Sequence, residues 1–99
     1  MNTNKLDELL KKIGKRVFVQ YFHEFGDEGL SNQDVVALLE NEESFQPQAS
    51  AARVANARRI FSDNMEAEAL SIIAASNRME QKITDEARAL LTQLRNRSV

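Results

Sequence analysis

His23 is the only histidine in the chain, and in HEFGDE it sits with Glu24, Asp27 and Glu28 inside six residues. A helical zinc protease site needs two histidines one turn apart with a glutamate beside them, and the second histidine is missing. The segment therefore reads as a satisfied or exposed histidine next to solvated acids. Nucleophilic catalysis requires a Ser, Cys or Thr activated by a base. The chain has no cysteine, and each of its Ser and Thr residues has a capping or surface role open to it. Nothing singles out, among the 15 acidic residues, a carboxylate pair of the kind that cleaves glycosides. The three glycines, Gly14, Gly26 and Gly29, match neither the phosphate-loop nor the dinucleotide spacing. No catalytic residue, metal or cofactor is expected.

The cations are the remaining chemistry. Lys11, Lys12, Lys15 and Arg16 form two i, i+4 like-charge pairs on a helix, a spacing that destabilises slightly unless something offsets it. A phosphate backbone would do so; so would solvation, or the acidic 26–48 segment lying nearby. Arg53, Arg58 and Arg59 occupy ASAARVANARRIFS (49–62), which has no acid and no helix breaker. At about 100° per residue, Val54, Ala57, Ile60 and Phe61 share one face, Ala52 and Ala55 another. Such a helix can pack on both sides, as the centre of a small bundle does. Arg53 projects between Ile60 and Ala57, Arg58 lies at the edge of that sector, and Arg59 points away. The favoured reading makes Arg53 a partly buried tether paired with a carboxylate. The competing one makes the segment a DNA recognition helix, although groove readers keep their basic groups on a shared face.

The elements that would position these residues follow from punctuation and period. All the glycines and the single proline, Pro47, fall in the first half. Leu6, Leu9, Leu10 and Ile13, then Phe18, Tyr21, Phe22 and Phe25, repeat at helical spacing. They predict a helix bent or interrupted near Gly14 and ending in a left-handed cap at Gly26. Leu30, Ser31, Asp34 and Val35 fit a capping box with a hydrophobic staple, opening a helix that carries Val35, Val36, Leu38 and Leu39 inward and ends near Glu42. Pro47 either begins the central helix or precedes a Ser50 cap. Asp63 with Glu66 suggests another box, starting a helix that stops at Ser76 and Asn77. A last helix carries Ile83, Ala87, Leu90, Leu91 and Leu94, with a polar tail from about residue 96. Positions 65, 69, 72, 76, 79 and 83 also follow near-heptad spacing, so a single fused rod is the alternative.

Ninety-nine residues suit one domain, because a fold of this size buries only about two-thirds of its unfolded surface. Apolar content of 42% against 28% charged indicates a folded domain rather than a disordered chain. Absence of cysteine excludes a disulfide scaffold and suits a reducing cytosol. The longest apolar run, Val35–Leu39, is far short of the roughly 20 residues of a membrane span, and the mixed charges of NTNKLDELLKK do not resemble a secretory signal. A cytoplasmic location is expected. The net charge of −2 alternates along the chain: +2 over 1–25, −6 over 26–48, +3 over 49–62, −3 over 63–76 and +2 over 77–99. Alternation suits helices attracting one another better than one field reaching for nucleic acid.

KRVFVQYFHEF followed by ARVANARRIF resembles small, all-helical, functionally uncharacterised bacterial proteins carried on mobile gene cassettes. That resemblance covers about a third of the chain and implies no activity. The capped 31–42 helix followed by the arginine-bearing helix is loosely similar to a helix-turn-helix, with a connection that looks long, lacks a glycine turn and leads to diverging arginines. The expectation is an all-α, compact bundle of about five helices acting as a protein–protein interaction module. Val17, Phe18, Val19, Tyr21, Phe22 and Phe25 spread too widely round one helix for a single neighbour to cover. A two-fold homodimer is therefore expected, through Phe18, Tyr21, Phe22 and Phe25 or through Leu90, Leu91 and Leu94. The alternative is DNA binding through Lys11, Lys12, Lys15, Arg16, Arg58 and Arg59; no membrane partner is expected.

Overall fold

The computed structural model describes residues 2–97, which form seven helices and no strand. The all-α expectation holds, and the excess over five helices arises before residue 27. Asn2 caps α1 (Thr3–Ile13) by accepting from the Lys5 amide at 2.8 Å, and Leu6, Leu9, Leu10 and Ile13 form its buried stripe. Gly14 then takes φ +93°, a region that side-chain-bearing residues rarely adopt, and the helix stops. The chain restarts as α2 (Lys15–Gln20) and α3 (Phe22–Gly26). The break between these two is slight. Tyr21 relaxes to φ −109°, ψ 23°, yet its amide still bonds to Val17 and its carbonyl still accepts from Phe25.

The left-handed cap expected at Gly26 is not formed: Gly26 ends α3 with ordinary φ, and Asp27 follows in extended backbone. Glycine is needed there for space, since a Cβ would stand 2.8 Å from Cε1 of Phe61. The capping box is as expected. Ser31 Oγ accepts from the Asp34 amide at 3.1 Å and Asp34 accepts from the Ser31 amide at 2.9 Å, and Leu30 is half-buried against the core. They open α4 (Asn32–Glu43), which buries Val35 and Leu39, leaving Val36 and Leu38 half-exposed. Ser44 closes it at φ 58°.

Pro47 occupies the first turn of α5 (Pro47–Ser62), and Ser50 is buried inside that helix rather than capping it. Val54, Ala57 and Ile60 point inward, but Ala52 and Ala55 are exposed. The second packing face expected of α5 is therefore unused: its neighbours α1, α3 and α4 gather on the bulky side. The Asp63–Glu66 box also fails to form. The amides of Asp63 and Met65 bond back to Arg59 and Ile60, finishing α5, and Asn64 takes φ 58°. Only then does α6 (Glu66–Ala74) begin, without a side-chain cap.

α6 ends at Ala74, two residues before Ser76, and α7 (Gln81–Arg97) is a separate helix that packs against it. There is no fused rod. A Cα radius of gyration of 12.8 Å matches the about 13 Å expected of a compact chain this long. The buried apolar residues form one cluster. No helix among the described residues is long and apolar enough to cross a membrane. Asn96 and Arg97 continue α7, exposed; Ser98 and Val99, the end of the expected tail, lie outside the described residues.

Candidate functional sites

The break at Gly14 leaves the last-turn carbonyls of α1 without intrahelical donors, and Arg53 uses one of them. Its Nη1 donates to the Ile13 carbonyl, and its guanidinium carbon lies 4.1 Å from the centroid of Phe45. Arg53 thus bonds a backbone carbonyl, and the expected carboxylate partner is corrected: among the described residues no acid stands at ion-pair distance from it. The reason is local. α1 ends beside α5 with an acceptor already free, and a neutral carbonyl under a cation costs less to bury than a second charge.

Arg16 has the charge partner instead. Its Nη2 meets Glu43 Oε1 at 2.6 Å, and the Tyr21 hydroxyl donates to Glu43 Oε2 at 2.8 Å. The Arg16 side chain is 41% exposed and that of Glu43 16%, so the carboxylate is the more desolvated member. Arg16 and Tyr21 hold Glu43 below the usual carboxylate range despite its burial. Burial, with the bond to Glu43, pushes the Tyr21 hydroxyl up to about 12. Glu43 lies at the end of α4, where the helix dipole disfavours a negative charge; Arg16 offsets both. Arg16 is thus held by the acidic 26–48 segment.

The other cations scatter. Lys11 pairs with Asp7 at 3.3 Å. Arg58 donates from Nη2 to the carbonyls of Asp27 at 3.2 Å and Glu24 at 3.4 Å, closing the end of α3. Lys12, Lys15 and Arg59 have no partner among the described residues, and Lys12 and Arg59 are exposed. Of the six candidates for a nucleic-acid surface, Lys11, Arg16 and Arg58 are therefore engaged within the chain.

The aromatic candidates for a dimer face are inside. Phe18, Phe22 and Phe25 are buried: Phe18 stacks on Phe25 at 6.2 Å and meets Phe22 edge-on at 5.6 Å, while Phe61 of α5 closes on Phe22 at 5.0 Å. Tyr21 is half-buried on Glu43. The short α2 is wrapped by α1, α3 and α7, so several neighbours cover what one could not. Phe18, Phe22 and Phe25 are therefore corrected from an interface to a core, with Tyr21 half-buried at its edge. Leu90 is also buried, whereas Leu91 and Leu94 remain half-exposed beside it.

A cavity of about 290 Å³ opens where α3 ends, α5 ends and α6 begins, with Gly26, Arg58, Phe61 and Glu66 among its walls. Arg58 Nε and Glu66 Oε2 are each buried without a hydrogen-bond partner among the described residues. Sequence reasoning missed this site because it assigned Glu66 to a cap and Phe61 to packing. The cavity is made by the ends of three helices remote in sequence, and no local spacing signals it. The described residues contain no cluster of His, Asp and Glu able to hold a metal ion. Comparison of the chain with protein-family models, with curated proteins and with solved structures found no match.

Proposed function

We propose that the chain is a protein–protein interaction module that associates with a second copy of itself through the C-terminal half of α7. The observation that carries this reading is the incomplete covering of Leu91 and Leu94, which continue the row Ile83, Ala87 and Leu90 buried earlier along the same helix. A two-fold axis near Leu91 would run two copies of α7 antiparallel, joining like patch to like patch. That register sets exposed Glu86 of one copy beside exposed Arg97 of the other, both on the same flank of the apolar row. Arg88 is already drawn to its own subunit by Asp85 and the Ala74 carbonyl. Light scattering coupled to gel filtration tests it: a mass of two chains is expected, falling to one 11.2 kDa chain in Leu91→Asp. A single-chain mass for the unaltered protein at tens of micromolar would sink the reading.

One observation favours DNA binding as a second reading. The connection between α4 and α5 is only three residues, 44–46, shorter than the sequence suggests and suited to a helix-turn-helix. The exposed side of α5 bears Gln48, Ala52, Ala55 and Arg59, with a single cation. Binding of mixed duplex at low salt that weakens as salt rises would support this reading; a flat titration would remove it.

A further inference from the structure

Two arginines of α5 pin the chain on either side of α4. Arg58 Nη2 donates to the carbonyls of Glu24 at 3.4 Å and Asp27 at 3.2 Å, holding the end of α3. Arg53 lies 4.1 Å from the centroid of Phe45, holding the connection that follows α4. The turn before α4 is built on the pinned residue, because Asp27 accepts from the amides of Gly29 at 2.8 Å and Leu30 at 3.1 Å. At the other end Ser44 turns the chain at φ 58°.

Between these pins the stretch 28–44 is held lightly. α4 packs appreciably against one other helix, α5, whereas each of the other six has two or more such neighbours. Only Val35 and Leu39 of its twelve residues are buried; Leu30, Val36 and Leu38 are half-exposed, and residues 28, 29 and 44 are exposed. Few buried apolar contacts and solvent-facing backbone hydrogen bonds are what mark a segment that opens before the rest of its domain. The polar tie from α4 to other helices is made by Glu43 in its last turn, which accepts from Arg16 Nη2 at 2.6 Å and from the Tyr21 hydroxyl at 2.8 Å. With the Arg16 side chain 41% exposed, that tie is open to screening by dissolved ions.

From this arrangement we propose that α4 is a hinged strap. The stretch 28–44 opens as one unit between the Arg58 and Arg53 pins while the other helices stay folded, and Glu43 with Arg16 and Tyr21 is the latch that keeps it shut. Opening bares Val35 and Leu39 together with the α5 surface beneath them. Because the latch is ionic and partly exposed, ionic strength sets how often the strap opens. The device is independent of the association proposed for α7, a helix that packs on α6 and α2.

Native-state amide hydrogen exchange on the full chain tests it. The amides of Leu38, Leu39 and Glu40 should share one opening constant, about tenfold or more larger than that of Leu9, Leu10, Val54 and Ala57. One constant common to all seven amides overturns the strap, and so do α4 rates that fall steadily from the ends inward, which is fraying. Glu43→Gln should raise the α4 opening constant about tenfold, as loss of a charged hydrogen bond does; an unchanged constant overturns the latch. Raising salt to about 1 M, where screening acts over a few ångströms, should speed α4 exchange in the unaltered chain and leave it unmoved in Glu43→Gln. An equal response of the two proteins overturns the ionic control. Leu91→Asp should exchange at α4 like the unaltered chain, so a failure of the dimer and a failure of the strap are told apart.

Discussion

Arg53, on α5, donates to the carbonyl of Ile13, 40 residues earlier at the end of α1. The contact exists because Gly14 stops α1 there, and the same glycine makes room: a Cβ on it would lie 3.2 Å from Arg53 Nη1. Arg53→Ala removes a charged donor from a neutral acceptor and a cation from the Phe45 face. We expect a loss of about 1–3 kcal/mol in urea unfolding, less than the about 3–5 that stranding a buried carboxylate would bring. Arg53→Lys should recover only part of it, since an ammonium does not stack as a planar guanidinium does. Full recovery by lysine would show that charge alone matters at this position.

Of the three glycines, Gly26 leaves the least room for a side chain, and Phe61 is what fills it. With a Cβ only 2.8 Å from Phe61 Cε1, Gly26→Ala must push a ring that packs on Phe18 and Phe22. Overpacking of this sort costs about 1–3 kcal/mol, outweighing the gain a helix makes on losing a glycine. Phe61→Leu should relieve the clash, so the double variant should be more stable than the two single losses predict. Additivity within about 0.5 kcal/mol would show that the alanine is accommodated elsewhere.

Local signals carried most of the secondary structure. Ser31 and Asp34 announce α4 because a capping box is a relation among four adjacent residues, and Gly14 announces the end of α1 because few other residues tolerate its φ. Ser31→Ala should accordingly cost about 1 kcal/mol in a denaturant titration, with an effect within a few tenths showing that water replaces the cap. Gly26 misled because glycine serves both left-handed caps and close contacts, and only Phe61, remote in sequence, decides between them. Asp63 misled because α5 used the following residues to finish itself before α6 could start. Tyr21 breaks a helix with no breaker in sight. Of the candidate sites, the types were legible and the partners were not: Arg53 was a plausible tether, but its acceptor is a carbonyl, to which sequence gives no address. The cavity between Arg58 and Glu66 had no sequence signal at all.

Tyr21 is the only tyrosine and the chain has no tryptophan, so ultraviolet titration of the phenol reads one group. Burial first, then its bond to Glu43, raises the ionisation from the ordinary value of 10.0 to about 12. A raised value means the folded chain favours the protonated form. That stability is fully present below pH 10 and is lost as pH rises through about 12. In Glu43→Gln the negative neighbour is gone while burial stays, so the titration should shift down but remain above that of free tyrosine. A midpoint at the ordinary value in the unaltered protein would contradict the buried bond.

Glu43 titrates with the opposite sign. Its bond to Arg16 is the largest influence, the Tyr21 hydroxyl adds to it, and together they outweigh burial and lower its ionisation from the model-peptide value of 4.5. A carboxyl depressed in the folded state contributes stability present above the unfolded value and lost as pH falls through the folded one. Stability should therefore decline as pH drops below the ordinary carboxylate range, as Glu43 takes up a proton and lets Arg16 go. At neutral pH Glu43→Gln should cost about 1–2 kcal/mol, the worth of a charged hydrogen bond discounted for the exposed half of Arg16. The comparison with the unaltered chain separates this group from the other acids, because their contributions are common to both proteins. Urea midpoints measured from neutral pH down to about pH 3, below the unfolded value, should converge as Glu43 protonates. A gap that stays constant across that range would show that glutamine fails for reasons of shape, and that the Arg16–Glu43 charge pair contributes nothing.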